Sequence, residues 1–151
     1  MAKFNYSFQK LLDLKENERE FAQLQMAEAI KQQDEAIKSN QKIHQKIAEV
    51  ENEINQKQLA GVNIFELRML EDYIHQLYDQ LKSTERNLEL MESKVIRTQG
   101  QLRTKVQEEK TWINLKDQKL IQFEEQQKLA EQNLFDEMAT TQFYRRSTAT
   151  H

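Results

Sequence analysis

The sequence predicts an all-α fold, an antiparallel two-helix coiled-coil hairpin with a longer second helix. Its 151 residues include no proline and only two glycines, the residues that most often interrupt helices and form loops. Apolar side chains recur at alternating steps of three and four, the spacing that keeps one stripe of a helix against a partner helix. We therefore expect a single helical hairpin over residues 1–151, with helix one at about 5–59, a turn at 60–63, helix two at about 64–138 and a flexible tail at 139–151.

Helix one is predicted from an apolar seam that keeps heptad spacing from Phe8 onward. The part of the seam nearest the turn is aliphatic and unbroken, whereas Lys15, Arg19 and Asn40 occupy seam positions earlier in the helix. A polar residue at a seam position weakens packing but fixes the register of the two helices, and we interpret Asn40 in this way. The strongest packing is therefore expected at four residues close to the turn: Ile43, Ile47, Val50 and Ile54.

Three signals of a helix boundary coincide in one short stretch and predict the turn. Gly61 suits the left-handed conformation that ends many helices. Asn63 is suited to cap the next helix, and Glu66, three residues later, can complete a capping box. Val62 and Leu67 stand where a hydrophobic staple packs. The chain is predicted to reverse direction here and form a helical hairpin.

Helix two continues the seam to Leu102, where the pattern takes one extra step of four residues to Val106 and then passes through Ile113. The seam residues up to this step are Leu67, Leu70, Ile74, Leu77, Leu81, Thr84, Leu88, Met91, Val95, Thr98 and Leu102. Such a stutter locally unwinds a supercoil. Gly100 lies beside it, and one glycine inside a helix costs only about 1 kcal/mol. We expect a flexible point within a continuous helix.

The second helix is predicted to extend beyond the first. If the turn centres on Gly61, Phe8 lies opposite about Asn114, and residues beyond about Lys119 have no partner within the hairpin. Exposed apolar helix in a water-soluble chain indicates a binding surface, so we expect a partner protein here, with disorder as the alternative. The apolar residues of this overhang are Leu120, Ile121, Phe123, Leu129, Leu134, Phe135 and Met138.

The composition argues against enzymes, metal sites and nucleic-acid binding. The net charge of −3 comes from acidic and basic residues mixed along the chain, so no basic surface is available for a phosphate backbone. There is no cysteine, no HExxH motif and no glycine-rich phosphate loop, and a two-helix fold offers no enclosed cleft for catalysis. We expect no cofactor, no metal and no catalytic residues, with the histidines on helix surfaces. No signal peptide or membrane span is recognisable, which predicts a soluble cytoplasmic protein.

The run FNYSFQKLLDLKENE at residues 4–18 resembles the opening of the flagellar FliJ family, in which aromatic residues precede an LLxLKExxE segment. The run YIHQL at residues 73–77 is similar to the family's aromatic-Ile-x-x-Leu stretch after the turn. The length and the hairpin with a longer second helix match as well. The resemblance therefore covers the whole chain.

This resemblance implies a coiled-coil stalk or adaptor of flagellar type III protein export. Such a protein links the hexameric export ATPase to the export-gate membrane protein and handles export chaperones. It is cytoplasmic, at the inner face of the cell membrane at the flagellar base, and reaches the membrane only through protein partners. Two alternatives are the equivalent stalk protein of a virulence type III secretion system and a self-associating structural scaffold.

The resemblance also implies two sets of contact residues. Family positions that contact the export gate correspond to Tyr73, Leu77, Gln80 and Thr84. The end of the hairpin that carries the termini is implied to enter the pore of the ATPase. Its aromatic and aliphatic residues are the expected ATPase contacts: Phe4, Tyr6, Phe8, Leu120, Phe123, Leu134 and Phe135.

Overall fold

The computed structural model describes residues 2–149 and contains two long helices, α1 (Gln9–Ala60) and α2 (Ile64–Ala149). The helices contain 52 and 86 residues, and no strand occurs within residues 2–149. The predicted fold, a two-helix hairpin with a longer second helix, is confirmed. The described helices contain no stretch that is long and apolar enough to cross a membrane.

Both outer helix boundaries differ from those expected from the sequence. α1 begins at Gln9, because residues 4–8 hold their aromatic side chains against α2 in a non-helical conformation. α2 continues to Ala149, beyond the expected end near residue 138. Hydroxyl groups at Thr140, Thr141 and Thr148 donate to carbonyl oxygens of the preceding turn, so these side chains are satisfied within the helix. The flexibility of the tail stays a prediction.

The turn has the residue roles predicted for Gly61 and Asn63. Gly61 directly follows α1 and has a φ of 81°, the left-handed conformation that glycine adopts without steric cost. Asn63 precedes α2, and its Oδ1 accepts a hydrogen bond from the backbone N–H of Phe65 at 3.3 Å. Its carbonyl oxygen accepts the first hydrogen bond of α2, from Leu67 N–H at 3.2 Å.

The described residues divide into two compact units. The hairpin unit comprises Glu18–Lys105, and the terminal unit comprises the residues up to Asn17 together with those from Val106 onward. In the hairpin unit, Ile47, Val50 and Leu77 form a buried core near the turn. Five partly buried residues of the predicted seam pack against this core: Ile43, Ile54, Leu70, Ile74 and Leu81.

Further from the turn, the hairpin unit is held together by small and polar seam residues. Ala22, Ala29 and Ala36 repeat every seven residues on α1 and are all buried. Buried Thr98 places its Oγ1 3.0 Å from the carbonyl oxygens of both Lys94 and Val95, so its hydroxyl is satisfied within its own helix. These small side chains bury little apolar area, and burial stabilises roughly in proportion to area.

Polar contacts between the two helices support the predicted register. The Oγ1 of Thr84 lies 3.5 Å from Oδ1 of Asn40, which places the seam asparagine opposite a polar partner. Glu18 and Lys105 form an ion pair of 3.1 Å at the boundary of the hairpin unit. Asn40 thus has the interhelix contact expected of a residue that fixes register.

Candidate functional site

An aromatic cluster joins the residues before α1 to α2 in the terminal unit. The ring centroids of Phe4 and Phe123 are 5.5 Å apart, and those of Phe8 and Trp112 are 5.7 Å apart. Tyr6 lies between the two phenylalanines, with its centroid 6.5 Å from that of Phe4 and 5.9 Å from that of Phe8. These separations are in the range preferred by interacting aromatic pairs.

This cluster corrects one expectation about the overhang. Phe123 was expected to have no partner within the hairpin, but it packs against Phe4 because the non-helical residues 4–8 extend along α2. Tyr6 is buried, and Phe4, Leu120 and Phe123 are half-buried. Phe8 also packs, on the ring of Trp112. Five of the seven expected ATPase contacts therefore contribute to packing in the terminal unit.

Trp112 completes the cluster in place of Ile113, the next residue, which the expected stutter puts on the seam. In the structure Ile113 is exposed and Trp112 is half-buried. Without the stutter, alternating steps of three and four from Leu102 lead to Trp112, so the uninterrupted heptad spacing predicts the covered residue. The expected position of Phe8, opposite about Asn114, is a second signal. In the structure Phe8 contacts Trp112, two residues away from that position.

The hydroxyl group of Tyr6 is the one buried side-chain polar atom without a hydrogen-bond partner among the described residues. The rings of Phe4 and Phe8 lie on either side of Tyr6 and offer no acceptor of ordinary strength. An unsatisfied buried hydroxyl lowers stability by about 1–3 kcal/mol. The buried hydroxyl therefore lowers the stability of the aromatic cluster, and the apolar packing of the rings offsets this loss.

Beyond the cluster, α2 carries a set of exposed apolar residues that we call the C-terminal apolar segment. Successive residues of a helix are rotated by about 100°, so these side chains point in directions distributed around the whole helix. Leu134 and Phe135, two expected ATPase contacts, belong to this set and are well exposed. The set comprises Leu129, Leu134, Phe135, Met138, Phe143 and Tyr144.

The expected gate contacts divide between the surface and the core of the hairpin unit. Tyr73 is 43% exposed and Gln80 is also exposed. Thr84 is half-buried and donates to the carbonyl oxygen of Leu81 at 2.9 Å. Leu77 is 1% exposed and is the most completely buried large side chain of the described chain. Its side chain is therefore committed to folding, and only Tyr73 and Gln80 are freely available to a partner.

Tyr78 lies on a different face of α2 and contacts α1. Its hydroxyl donates a hydrogen bond of 2.8 Å to Oε1 of Glu51. This hydrogen bond, together with the negative charge of Glu51, raises the pKa of Tyr78 above its usual value of 10.0, because the neutral phenol is the form that donates. The contact links the two helices close to the core around Leu77.

Comparison with protein families identifies the chain. The family described as "Flagellar FliJ protein" matches residues 4–148. The chain belongs to the FliJ family. Among curated proteins, none matches its sequence.

One solved structure shares the fold of this FliJ-family chain. It is the structure of CT670 from Chlamydia trachomatis, described as a YscO homologue, with a TM-score of 0.59 and 15% sequence identity. The match covers 97% of this chain and 99% of CT670. At this identity the similarity establishes the fold alone.

Membership of the FliJ family assigns the chain to flagellar type III protein export. The family is a structural component of the export apparatus and not a catalytic one. The described residues contain no group of acidic, histidine or cysteine side chains placed to hold a metal ion.

Proposed function

We propose that this FliJ-family protein is a stalk or adaptor that links the hexameric flagellar export ATPase to the export-gate membrane protein. It also handles export chaperones and acts in the cytoplasm at the flagellar base, reaching the membrane through its protein partners. The observation that carries the proposal is the C-terminal apolar segment, because its exposed side chains have no role in folding the chain. Family membership supports the export role.

The C-terminal apolar segment is suited to a partner that surrounds it. A helix that binds a flat surface or a single partner helix needs an apolar stripe on one face only. Here Leu134 and Met138 point to one side, while Leu129 and Tyr144 point elsewhere around the same helix. A helix with apolar side chains on all sides is buried within a larger structure. The pore of a hexameric ring provides such surroundings, and an apolar lining of the pore would cover all faces.

The gate contact is proposed for the exposed face of α2 that carries Tyr73 and Gln80. An exposed tyrosine supplies a large apolar ring and a hydroxyl group, and tyrosine is enriched among residues that dominate protein interfaces. Tyr73 is outside the buried core, so binding can use its ring without loss of packing. The two proposed surfaces belong to different units of the chain, which allows each to be removed separately.

A truncation tests the ATPase contact. Deleting residues 128–151 removes the C-terminal apolar segment and keeps the aromatic cluster around Phe123 intact. We expect the truncated protein to keep its helical circular dichroism and its binding to the gate protein. It should no longer co-purify with the ATPase or stimulate ATP hydrolysis. Normal stimulation by the truncated protein would refute the assignment.

A triple substitution tests the apolar side chains without shortening the chain. Replacing Leu134, Phe135 and Met138 by serine should abolish the stimulation of ATP hydrolysis. The matched control replaces one phenylalanine and two aliphatic residues of similar exposure in the hairpin unit, Phe21, Leu90 and Ile96, and should keep it. Equal loss in both variants would indicate a nonspecific effect of surface polarity.

Self-association is the second function that the exposed apolar residues allow, since another copy of the chain can also cover them. Sedimentation of the purified protein separates the two functions. An adaptor is expected to sediment as a monomer of 18.1 kDa. An oligomer that dissociates on deletion of residues 128–151 would instead indicate a structural scaffold.

A motility assay tests the alternative role in a virulence secretion system. A flagellar export component should restore motility when it is expressed in a strain from which its gene has been deleted.

A further inference from the structure

A line of exposed apolar and amide side chains connects Tyr73 to the turn. Phe65 is 68% exposed and Met69 is 59% exposed, and the three residues are spaced by four. Steps of four advance by only about 40° around a helix, so the side chains lie along one face of α2. Gln76 and Gln80 continue this face beyond Tyr73. We call these five residues the turn stripe.

The turn stripe does not contribute to the core of the hairpin unit. The α2 residues packed at the core are Leu70, Ile74, Leu77 and Leu81, which point about 100° away from the centre of the stripe. Single exposed apolar residues are common on protein surfaces, but a contiguous apolar patch marks an interaction site. Phe65 and Met69 are absent from the contacts that the FliJ resemblance implies, so they extend the surface beyond them.

The charges around the stripe indicate what kind of segment binds there. Of the charged residues of α2 between Phe65 and Gln80, three acidic ones and one basic one lie nearest the stripe: Glu66, Asp72, Asp79 and Arg68. Asp72 and Asp79 border the stripe along one edge, and no ion pair neutralises either of them within residues 2–149.

We propose that the turn stripe binds a segment of the export-gate protein in which apolar side chains alternate with lysine or arginine. The apolar side chains pack on Phe65, Met69 and Tyr73, and the basic ones lie beside Asp72 and Asp79. The inference rests on the proposed gate contact and specifies its extent and chemistry. Charge complementarity favours this partner over an anionic membrane surface, since lipid headgroups would be repelled by the same carboxylates.

Titration calorimetry with the purified cytoplasmic region of the gate protein tests the apolar part of the inference. Phe65→Ala and Met69→Ala should each weaken binding by the full-length chain about tenfold, as the loss of one buried anchor in an interface does. Ile64→Ala is the matched control, because Ile64 is as exposed as Phe65 but lies on another face. Its affinity should change less than about twofold.

A charge reversal tests the electrostatic part. Replacing Asp72 and Asp79 by lysine should weaken binding at least about tenfold at low salt and remove most of its salt dependence. The control replaces Glu71 and Glu85 by lysine, which changes the net charge equally on the opposite side of α2. This control should bind like the unmodified chain, and circular dichroism should be the same for both variants.

The outcomes distinguish this inference from the proposed function. If Tyr73→Ala weakens binding while the Phe65, Met69 and aspartate variants do not, the proposed gate contact is supported and the inference about the turn stripe is wrong. If the unmodified chain does not bind the gate region, both are wrong. Binding to vesicles containing anionic phospholipid that Phe65→Ala removes would also overturn the inference, because it would make the stripe a membrane surface.

Discussion

Leu77 and Tyr73 are four residues apart on α2, yet their replacement by alanine should separate folding from partner binding. Leu77 is 1% exposed and packs with Ile47 and Val50, whereas Tyr73 is 43% exposed and lies outside that core. A family-based assignment of both positions to the gate contact treats them as equivalent. The structure predicts different effects on the free energy of unfolding.

The magnitude for Leu77→Ala follows from the carbon atoms removed. The change deletes three buried carbon groups, and each is worth about 0.8 kcal/mol of transfer free energy. The cavity left between the helices adds to this loss. We therefore expect the free energy of unfolding to fall by about 2–4 kcal/mol, a large part of the stability of a typical domain. Tyr73→Ala should lower it by less than about 1 kcal/mol, as substitutions at exposed sites do.

Urea unfolding followed by circular dichroism at 222 nm measures both values, and Leu90→Ala supplies the control. Leu90 undergoes the same chemical change on the same helix but is well exposed, so its replacement should cost under about 0.5 kcal/mol. Binding to the gate protein is measured without urea, where all variants are folded. Under these conditions the Tyr73→Ala variant should bind the gate protein weakly, and the Leu77→Ala variant should bind it normally. A loss below about 1 kcal/mol for Leu77→Ala would refute the assignment of this residue to the core.

Three further predictions concern other parts of the chain. Hydrogen exchange should be slower over residues 43–54 than over residues 10–25, because large aliphatic side chains pack near the turn and raise the local stability there. Slower exchange over residues 10–25 would contradict this prediction. Tyr6→Phe should raise the free energy of unfolding by about 1 kcal/mol, since it removes an unsatisfied buried hydroxyl; a loss measured in urea would show that the hydroxyl is bonded. Tyr78 should ionise above pH 10.0 in a titration followed at 295 nm, and Glu51→Gln should return it towards that value. The stabilising effect of this raised pKa is present below pH 10.0 and is lost as the pH rises through the pKa of the folded state.

The sequence was sufficient to predict the fold and the core near the turn. Heptad spacing identified Ile47, Val50 and Leu77 as seam residues, and these form the buried core. Gly61 and Asn63 have the backbone roles predicted for them because helix ends depend on a few local residues. Local propensity and the hydrophobic pattern agree here, and such agreement is what makes a structure predictable from sequence.

The terminal unit was less predictable because its structure depends on contacts between residues distant in sequence. Nothing local prevents residues 5–8 from being helical, but packing of Phe4 on Phe123 and of Phe8 on Trp112 keeps them outside α1. At the other end, a run rich in threonine and serine predicts a flexible tail, since these residues are weak helix formers. In the structure their hydroxyls bond to the preceding turn and the helix continues to Ala149, a length that the local composition does not predict.

The candidate site shows how a two-helix fold separates folding residues from binding residues. In a globular domain a large apolar residue outside one seam can be buried by another layer of structure. Here the described chain has only two helices, so large apolar residues away from the seam, such as Phe65, Met69 and Phe135, remain exposed. A heptad pattern therefore identifies the core and, by exclusion, the binding surface. Leu77 is a family contact at a seam position and is buried, so its assignment to the gate contact stays a prediction that the binding of the Leu77→Ala variant tests.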